Sequence, residues 1–295
     1  MTLKKIDIHL HVVLEPMGAL PNGMYCSHCG EMKEYMDNNN VEMGLLMSGG
    51  EGEDVLLGGN DEVRAIAERY PDTFAWLCNI DAMDSENLEE RILKYKSQGA
   101  KGVGEFMTNL RIDDPRIDAV FAACEKADMP ILFHMSPKEN YNYGIVDEPG
   151  LPLLEKALKK YPNLKFIGHS QPFWYEISGD ASTDFEARNE YPTGKVVPGG
   201  RTPELFDKYP NLYGDLSANS AGNALMRDPE FGYEFIEKNQ DRLMFATDMV
   251  NVNMSFPLGK WLDEAVVAGK ISEEAYRKVC RENAIRVFGL KVNLI

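Results

Sequence analysis

Ile6-Asp7-Ile8-His9-Leu10-His11, near the start of the chain, decides between two architectures. Its apolar, β-branched opening reads as a short buried strand over Ile6 to His9. In an open doubly wound sheet the first strand runs into a Gly-rich turn that cradles phosphate, but this one runs into His-Leu-His. Residues two apart on a strand project to the same side, so the two imidazoles leave the strand end as a pair. Such pairs of neutral imidazoles are common ligands for zinc and its neighbours. In a closed α/β barrel the carboxyl ends of the strands are also where active sites lie.

Further along, short apolar runs recur at Met43 to Met47, Phe74 to Ile80, Ala100 to Val103, Ile131 to Phe133, Leu164 to Ile167, Leu212 to Leu216 and Leu243 to Ala246. Helical patterns separate them at Asn60 to Tyr70, Glu86 to Gln98, Ile117 to Asp128, Leu151 to Tyr161, Arg201 to Tyr209 and Phe231 to Asn239. This alternation is the signature of βα units around a parallel sheet. Tyr70-Pro71, Tyr161-Pro162 and Tyr209-Pro210 each set a helix-stopping proline before the next strand. The expected architecture is a single α/β domain spanning residues 1–295, a (β/α)8 TIM barrel with a helical C-terminal extension from Leu258 to Leu290. Two stretches exceed ordinary loops, Val12 to Asn40 and Ser170 to Gly200, and both are expected on the face that shapes substrate pockets.

With 31 Lys and Arg against 47 Asp and Glu, the formal charge of −16 repels phosphate backbones and anionic lipid. Nucleic acid and membrane are therefore excluded as expected partners, leaving a small-molecule substrate and, open to test, a homo-oligomer. No signal-peptide pattern or membrane-length apolar run is present, which makes the expected location cytoplasmic. Five cysteines spread along the chain read as reduced thiols. Cys26-Ser-His-Cys29 is half of a zinc-site pattern, with His28 beside it as a residue that could reach the barrel mouth.

Of the five histidines, four stand at or just beyond predicted strand ends: His9, His11, His134 and His169. End positions are on the order of a tenth of a barrel chain, so this clustering is the informative feature. Two acids share the placement, since Asp248 closes Leu243-Met-Phe-Ala-Thr-Asp and Glu105 closes Lys101-Gly-Val-Gly-Glu. A carboxylate at the end of an apolar strand needs a partner or a metal. The predicted ligand set is His9, His11, Glu105, His134, His169 and Asp248. Among divalent ions Zn2+ leads, and Mn2+, Fe2+ or Ni2+ suit the same nitrogen and oxygen donors.

Together these residues resemble the amidohydrolase superfamily, within its branch that includes aminocarboxymuconate-semialdehyde decarboxylase. The resemblance spans nearly the whole chain. It rests on Asp7-Ile-His-Leu-His11, Pro130-Ile-Leu-Phe-His134, Phe166-Ile-Gly-His169, Asn211-Leu-Tyr-Gly-Asp-Leu-Ser217, Phe245-Ala-Thr-Asp248 and Glu282-Asn-Ala-Ile-Arg-Val-Phe-Gly-Leu290. It implies that His9, His11 and Asp248 hold one ion, with His134 on the first or second ion according to branch. In two-metal members Glu105 occupies the bridging place and His169 ligates the second ion. In one-metal, decarboxylase-like members the strand-six histidine acts on water and strand four gives no ligand.

The expected activity is hydrolysis of a small polar amide, lactone or other carboxylic ester, with Asp248 and His169 as catalytic groups. Asp248 takes the proton of the attacking water and returns it to the leaving group. A metal-dependent decarboxylase or lyase is the alternative, and a non-catalytic metal-binding protein a third reading. Arg201, Arg188 and Lys195, in or beside the second long loop, are candidates to hold a substrate carboxylate, and Trp174 and Phe173 to wall the pocket.

Overall fold

The computed structural model describes residues 3–19, 23–52 and 57–292. Eight parallel strands follow one another: β1 (Lys5–Leu10), β2 (Val41–Leu46), β3 (Phe74–Trp76), β4 (Val103–Phe106), β5 (Ile131–Ser136), β6 (Phe166–His169), β7 (Leu212–Leu216) and β8 (Leu243–Phe245). Continuous ladders join β1 through β3 and β4 through β8. Two seams remain, and single parallel bridges close them, Cys78 with Val103 and Leu10 with Met249. Main-chain hydrogen bonds reinforce both, including Cys78 N–H to Gly102 O at 3.0 Å and His11 N–H to Met249 O at 2.9 Å. The ring is the expected TIM barrel. A further two-residue strand, Ile145–Val146, lies against the end of β5.

The helices that alternate with the strands are α1 (Cys29–Asn38), α2 (Asn60–Arg69), α3 (Leu88–Ser97), α4 (Pro115–Lys126), α5 (Pro152–Lys160), α6 (Gln171–Tyr175), α7 (Arg201–Lys208), α8 (Ala218–Met226) and α9 (Pro229–Asn239). Local chemistry sets their ends. Asp114 caps α4 by accepting from Arg116 N–H, with Pro115 in the first turn where its missing donor is not needed. Helices α2, α5 and α7 stop at Arg69, Lys160 and Lys208, each two residues before the proline that signalled the break. The first of the two expected long loops is shorter than foreseen, because α1 occupies its second half with Met32 and Met36 on the buried face. Leu20 to Asn22 of that stretch lie outside the described residues. In Ser170 to Gly200 the regular structure is limited to α6 and a 3-10 turn at Ala187–Asn189.

Packing divides into two layers. An outer cluster joins the outward strand faces to the helices, through residues such as Leu10, Leu46, Phe106, Phe133, Phe166 and Leu216. An inner cluster fills the barrel with Ile6, Ile8, Leu45, Leu77, Leu132, Ile167, Met244 and Ala246. The C-terminal extension comprises α10 (Leu258–Val267), α11 (Glu273–Arg277), a π-helical turn at Lys278–Glu282 and α12 (Asn283–Phe288). Ala284, Val287, Phe288 and Leu290 join the inner cluster, so this extension plugs the amino-terminal end of the barrel. Among the described residues no helix is long and apolar enough to cross a membrane.

β1 carries the irregularity that matters most for the site. Ile6 and Ile8 point inward, and strict alternation would then send His9 and His11 outward. The pairing with β2 shifts register between Asp7 and Leu10, and Leu10 joins the outer cluster. The alternation is thereby reversed beyond Ile8, as a β-bulge does. Asp7 supports the shift from within: its carboxylate accepts from His9 N–H at 3.1 Å and from the Thr247 N–H and hydroxyl at 3.0 and 2.6 Å. Burial pushes Asp7 up to about 7, against the lowering effect of these hydrogen bonds.

Candidate metal centre

The six predicted ligands converge. From β1, His9 Nε2 and His11 Nε2 lie 3.2 Å apart. Glu105 Oε2, from β4, is 3.5 Å from each of them, and Asp248 Oδ1, just past β8, is 3.3 Å from each. A tetrahedral ion with bonds of about 2.0–2.1 Å spaces its donors by roughly 3.3–3.4 Å. The two nitrogens stand close to that spacing from each other and from each carboxylate oxygen, and this set of nitrogen and oxygen donors fits a divalent ion.

A second group of donors stands beside the first. Glu105 Oε1 lies 2.6 Å from His134 Nδ1 and 3.5 Å from His169 Nε2. Glu105 thus turns one oxygen to each pair of histidines. The 2.6 Å separation is a hydrogen-bond distance and is shorter than the donor spacing in a metal shell. Burial outweighs the attraction of Glu105 and lowers His134, so a neutral imidazole donates Nδ1–H to the carboxylate. In this geometry the second group is less complete than the first.

Asp215, in the middle of β7, was missed by the sequence reading although its motif was noted. Its Oδ2 lies 2.7 Å from His9 Nδ1 and 3.2 Å from His169 Nδ1. Ser217 Oγ also reaches His169 Nδ1, at 2.8 Å. One carboxylate oxygen thereby orients two imidazoles so that their Nε2 atoms face the centre, the partnership that metal-ligating histidines require. The available signal was a carboxylate inside an apolar strand, the same argument that found Asp248.

The electrostatics call for a cation. Burial opposes ionisation of Glu105, yet His134, His11 and His9 hold it well below the usual carboxylate range. Asp248 is lowered in the same way by His9, His11 and His169, and Asp215 is held at about 2 by His9 and His169. Conversely, burial disfavours a charged His9, but Asp248, Asp215 and Glu105 raise it well above the ordinary value; His11 is raised by Asp248 and Glu105. Two buried carboxylates and a third at the opening, around one point, must be compensated by protons on imidazole or by a metal. Asp248 is the open member, its side chain 25% exposed where His9 is fully enclosed.

The other candidates lie elsewhere or do other work. Arg188 is buried, gives its guanidinium to the carbonyls of Asp147 and Glu148, and faces Glu176 at 3.6 Å. Arg201 bonds Gly150 O at 2.8 Å and pairs with Glu155 and Glu204. Both cations are engaged by the protein, so they clasp the loops together and are not free for a substrate carboxylate. Lys195 is exposed, 3.8 Å from Glu230. Trp174 is buried behind the site, donating Nε1–H to Asp215 O at 3.1 Å, and Phe173 packs edge-on against it. Neither walls an open pocket. The exposed aromatic ring that does stand at the mouth is Tyr143, 4.3 Å from the His134 ring. His28 caps α1 through Nδ1, accepting from Gly30 N–H. Cys26 and Cys29 are buried free thiols directed at the carbonyls of His11 and Leu14, and neither belongs to a metal-binding group among the described residues.

Comparison with known proteins agrees with the fold. Solved structures with the same fold include an uncharacterised TIM-barrel protein from Bordetella bronchiseptica, 19% identical over 98% of this chain and 99% of that one, with a TM-score of 0.63. A 2,6-dihydroxybenzoate decarboxylase from Rhizobium is 16% identical over 98% and 99%, with a TM-score of 0.57. A structure assigned as a 2-pyrone-4,6-dicarboxylic acid hydrolase from Pseudomonas putida is 13% identical over 99% and 100%, with a TM-score of 0.63. No curated protein matches the chain. The model of one family, described as amidohydrolase, matches residues 6–290. The chain belongs to the amidohydrolase family, whose members are enzymes of hydrolase and decarboxylase types.

Proposed function

We propose that the protein is a metal-dependent hydrolase of a small polar amide, lactone or other carboxylic ester. The observation that carries this reading is the position of Glu105, whose two oxygens face His9 with His11 on one side and His134 with His169 on the other. A carboxylate so placed would offer one oxygen to each of two ions. Divalent ions held there, Zn2+ foremost, supply an acidified water and a polarised carbonyl.

The chain's own groups do the remaining work. Asp248 offers Oδ1 to the β1 imidazoles and keeps Oδ2 3.7 Å from His169 Nε2. It is placed to take the proton of the attacking water as the water oxygen adds to the carbonyl carbon. It then delivers that proton to the departing oxygen or nitrogen as the carbon–heteroatom bond breaks. Asp215 and Ser217 fix the tautomer of His169 so that Nε2 faces the centre as a neutral donor.

One observation favours the alternative of a one-ion decarboxylase. His134 Nδ1–H holds Glu105 Oε1 in a short hydrogen bond, which ties up the oxygen that a second ion needs. Metal content of the purified chain, measured with a panel of lactones, esters and amides and a parallel assay for carbon dioxide release, separates the two. Two ions with hydrolytic turnover support the proposal. One ion with carbon dioxide release overturns it.

A further inference from the structure

A cavity of about 340 Å3 opens at the plugged end of the barrel, opposite the metal centre. Its floor is apolar, built from Met43, Phe74, Ala75 and Leu290, three of which belong to the inner barrel cluster. Its rim carries Lys101 and Lys291 against the single acid Glu68. A neighbouring cavity of about 380 Å3 shares Gly99 and Lys101 and adds Lys96, Lys165, Arg286 and Asp128. Five basic side chains thus meet two acidic ones, in a chain whose overall ratio is the reverse. Lys96, Lys165 and Arg286 are engaged, with Ala127 O, Asp128 and Asp241 O among their partners. Lys101 pairs with nothing among the described residues.

A solvated lysine alone would carry no argument. The second observation is Trp76, which is 3% exposed yet lines the cavity. Its indole N–H takes no acceptor among the described residues and is not sealed off by protein. A β-carbon placed on Gly99 would lie 3.7 Å from Nε1, so this donor faces the Gly99 side of the cavity that Lys101 also lines. Open to the cavity, this donor is met by solvent in the free protein and is available to an acceptor atom of a ligand. We propose that this cavity binds a small apolar carboxylate, its chain on the Met43, Phe74 and Leu290 floor and its oxygens held by Trp76 Nε1–H and Lys101. The volume suits such a ligand, standing at the lower end of the range for small-molecule sites, about 300–1,000 Å3. The site is independent of the reading of the metal centre.

The test is calorimetric titration of the metal-loaded protein with octanoate, octanol and inorganic phosphate. Octanoate should bind, and the other two, each lacking one half of the required chemistry, should not. Trp76→Phe and Lys101→Gln should each weaken octanoate by about tenfold or more, the effect of losing a charge-assisted hydrogen bond. Glu68→Gln should tighten it, a change of sign that damage to the fold would not produce. Metal content should be the same in all four proteins. Octanoate binding that is undiminished in both weakened variants belongs to the metal centre and overturns the proposal. Equal binding of octanol, or no binding of octanoate at millimolar concentration, also overturns it.

Discussion

His9 Nδ1 stands 2.7 Å from Asp215 Oδ2, and both side chains are completely enclosed. A carboxylate in that place fixes the imidazole as a donor at Nδ1 and leaves Nε2 for the ion. Asp215→Asn should therefore retain the fold but lose metal affinity by about ten- to a hundredfold, the usual effect of removing a partner of a ligating histidine. Competition against a chromophoric chelator measures this directly. Unchanged affinity would show that Asp215 is there for packing.

His9→Ala and His11→Ala should each strip the first ion and abolish activity, because each removes one of the two nitrogen donors that the carboxylates face. Asp248→Asn should keep part of the metal and lose turnover, since an amide cannot take the proton of water. Elemental analysis beside a turnover assay checks both. Wild-type stoichiometry in the two histidine variants would refute the ligand assignment.

Glu105→Gln separates a shared ligand from a hydrogen-bonding acid. If two ions share the carboxylate, the amide should halve the bound metal, because a neutral side chain cannot offer a negative oxygen to both. If Glu105 only orients His134, one ion should remain at full occupancy with a loss of about ten- to a hundredfold in affinity or activity. The wild-type count, taken after loading with zinc and again with manganese, decides between the cases.

Metal uptake should release protons at neutral pH. His9 and His11 are raised in the metal-free site, so their protons must leave before Nε2 can ligate, and affinity should climb as pH rises. Calorimetry in buffers of different ionisation enthalpy counts those protons. The same shifts predict that metal-free protein has full stability from these two imidazoles below about pH 6.5 and loses it as pH rises through their higher folded values. Asp215 acts in the opposite sense, its contribution being present above about pH 3.9 and lost as pH falls toward about 2. A pH-independent metal affinity between pH 6 and 8 would contradict the raised imidazoles.

Gly144→Ala should disturb His134 more than the first ion. The residue has φ +107°, and a β-carbon there would meet His134 O at 2.7 Å and its ring at 2.8 Å. The strain and the clash should cost about 1–3 kcal/mol of stability. The metal count should fall from the side of His134 and His169 while His9 and His11 keep their ion. Equal loss from both positions would mean that the loop is not specific to His134.

Much of the fold was legible, because eight apolar runs separated by helical patterns leave few alternatives to a barrel, and the six residues singled out stand close together. What escaped was local. Helix α8 has little apolar periodicity in Ala218-Asn-Ser-Ala-Gly-Asn-Ala-Leu-Met226, and α1 was hidden among polar residues that showed only Met32 and Met36 on one face. Arg188 and Arg201 looked like free loop cations, since a sequence does not reveal that Glu155, Glu176, Glu204 and three main-chain carbonyls will fold around them. Even the correct pairing of His9 with His11 conceals a subtlety. Nothing in the apolar pattern announces the register shift that turns them inward after Ile6 and Ile8.

The seam between β8 and β1 gives this protein a timetable. Asp7 and Thr247, 240 positions apart, are hydrogen-bonded there, and His9 and Asp248 stand directly beside them. At ribosomal speeds of about 5–20 residues per second, the acid that completes the shell emerges about 10–50 s after the histidines that begin it. A nascent chain carries its imidazoles for that whole interval without the last carboxylate. Loading is thereby deferred until the ring can shut, and a chain stopped at Gln240 should retain no ion after gel filtration, while one extended through the seam and the plug helices should keep it.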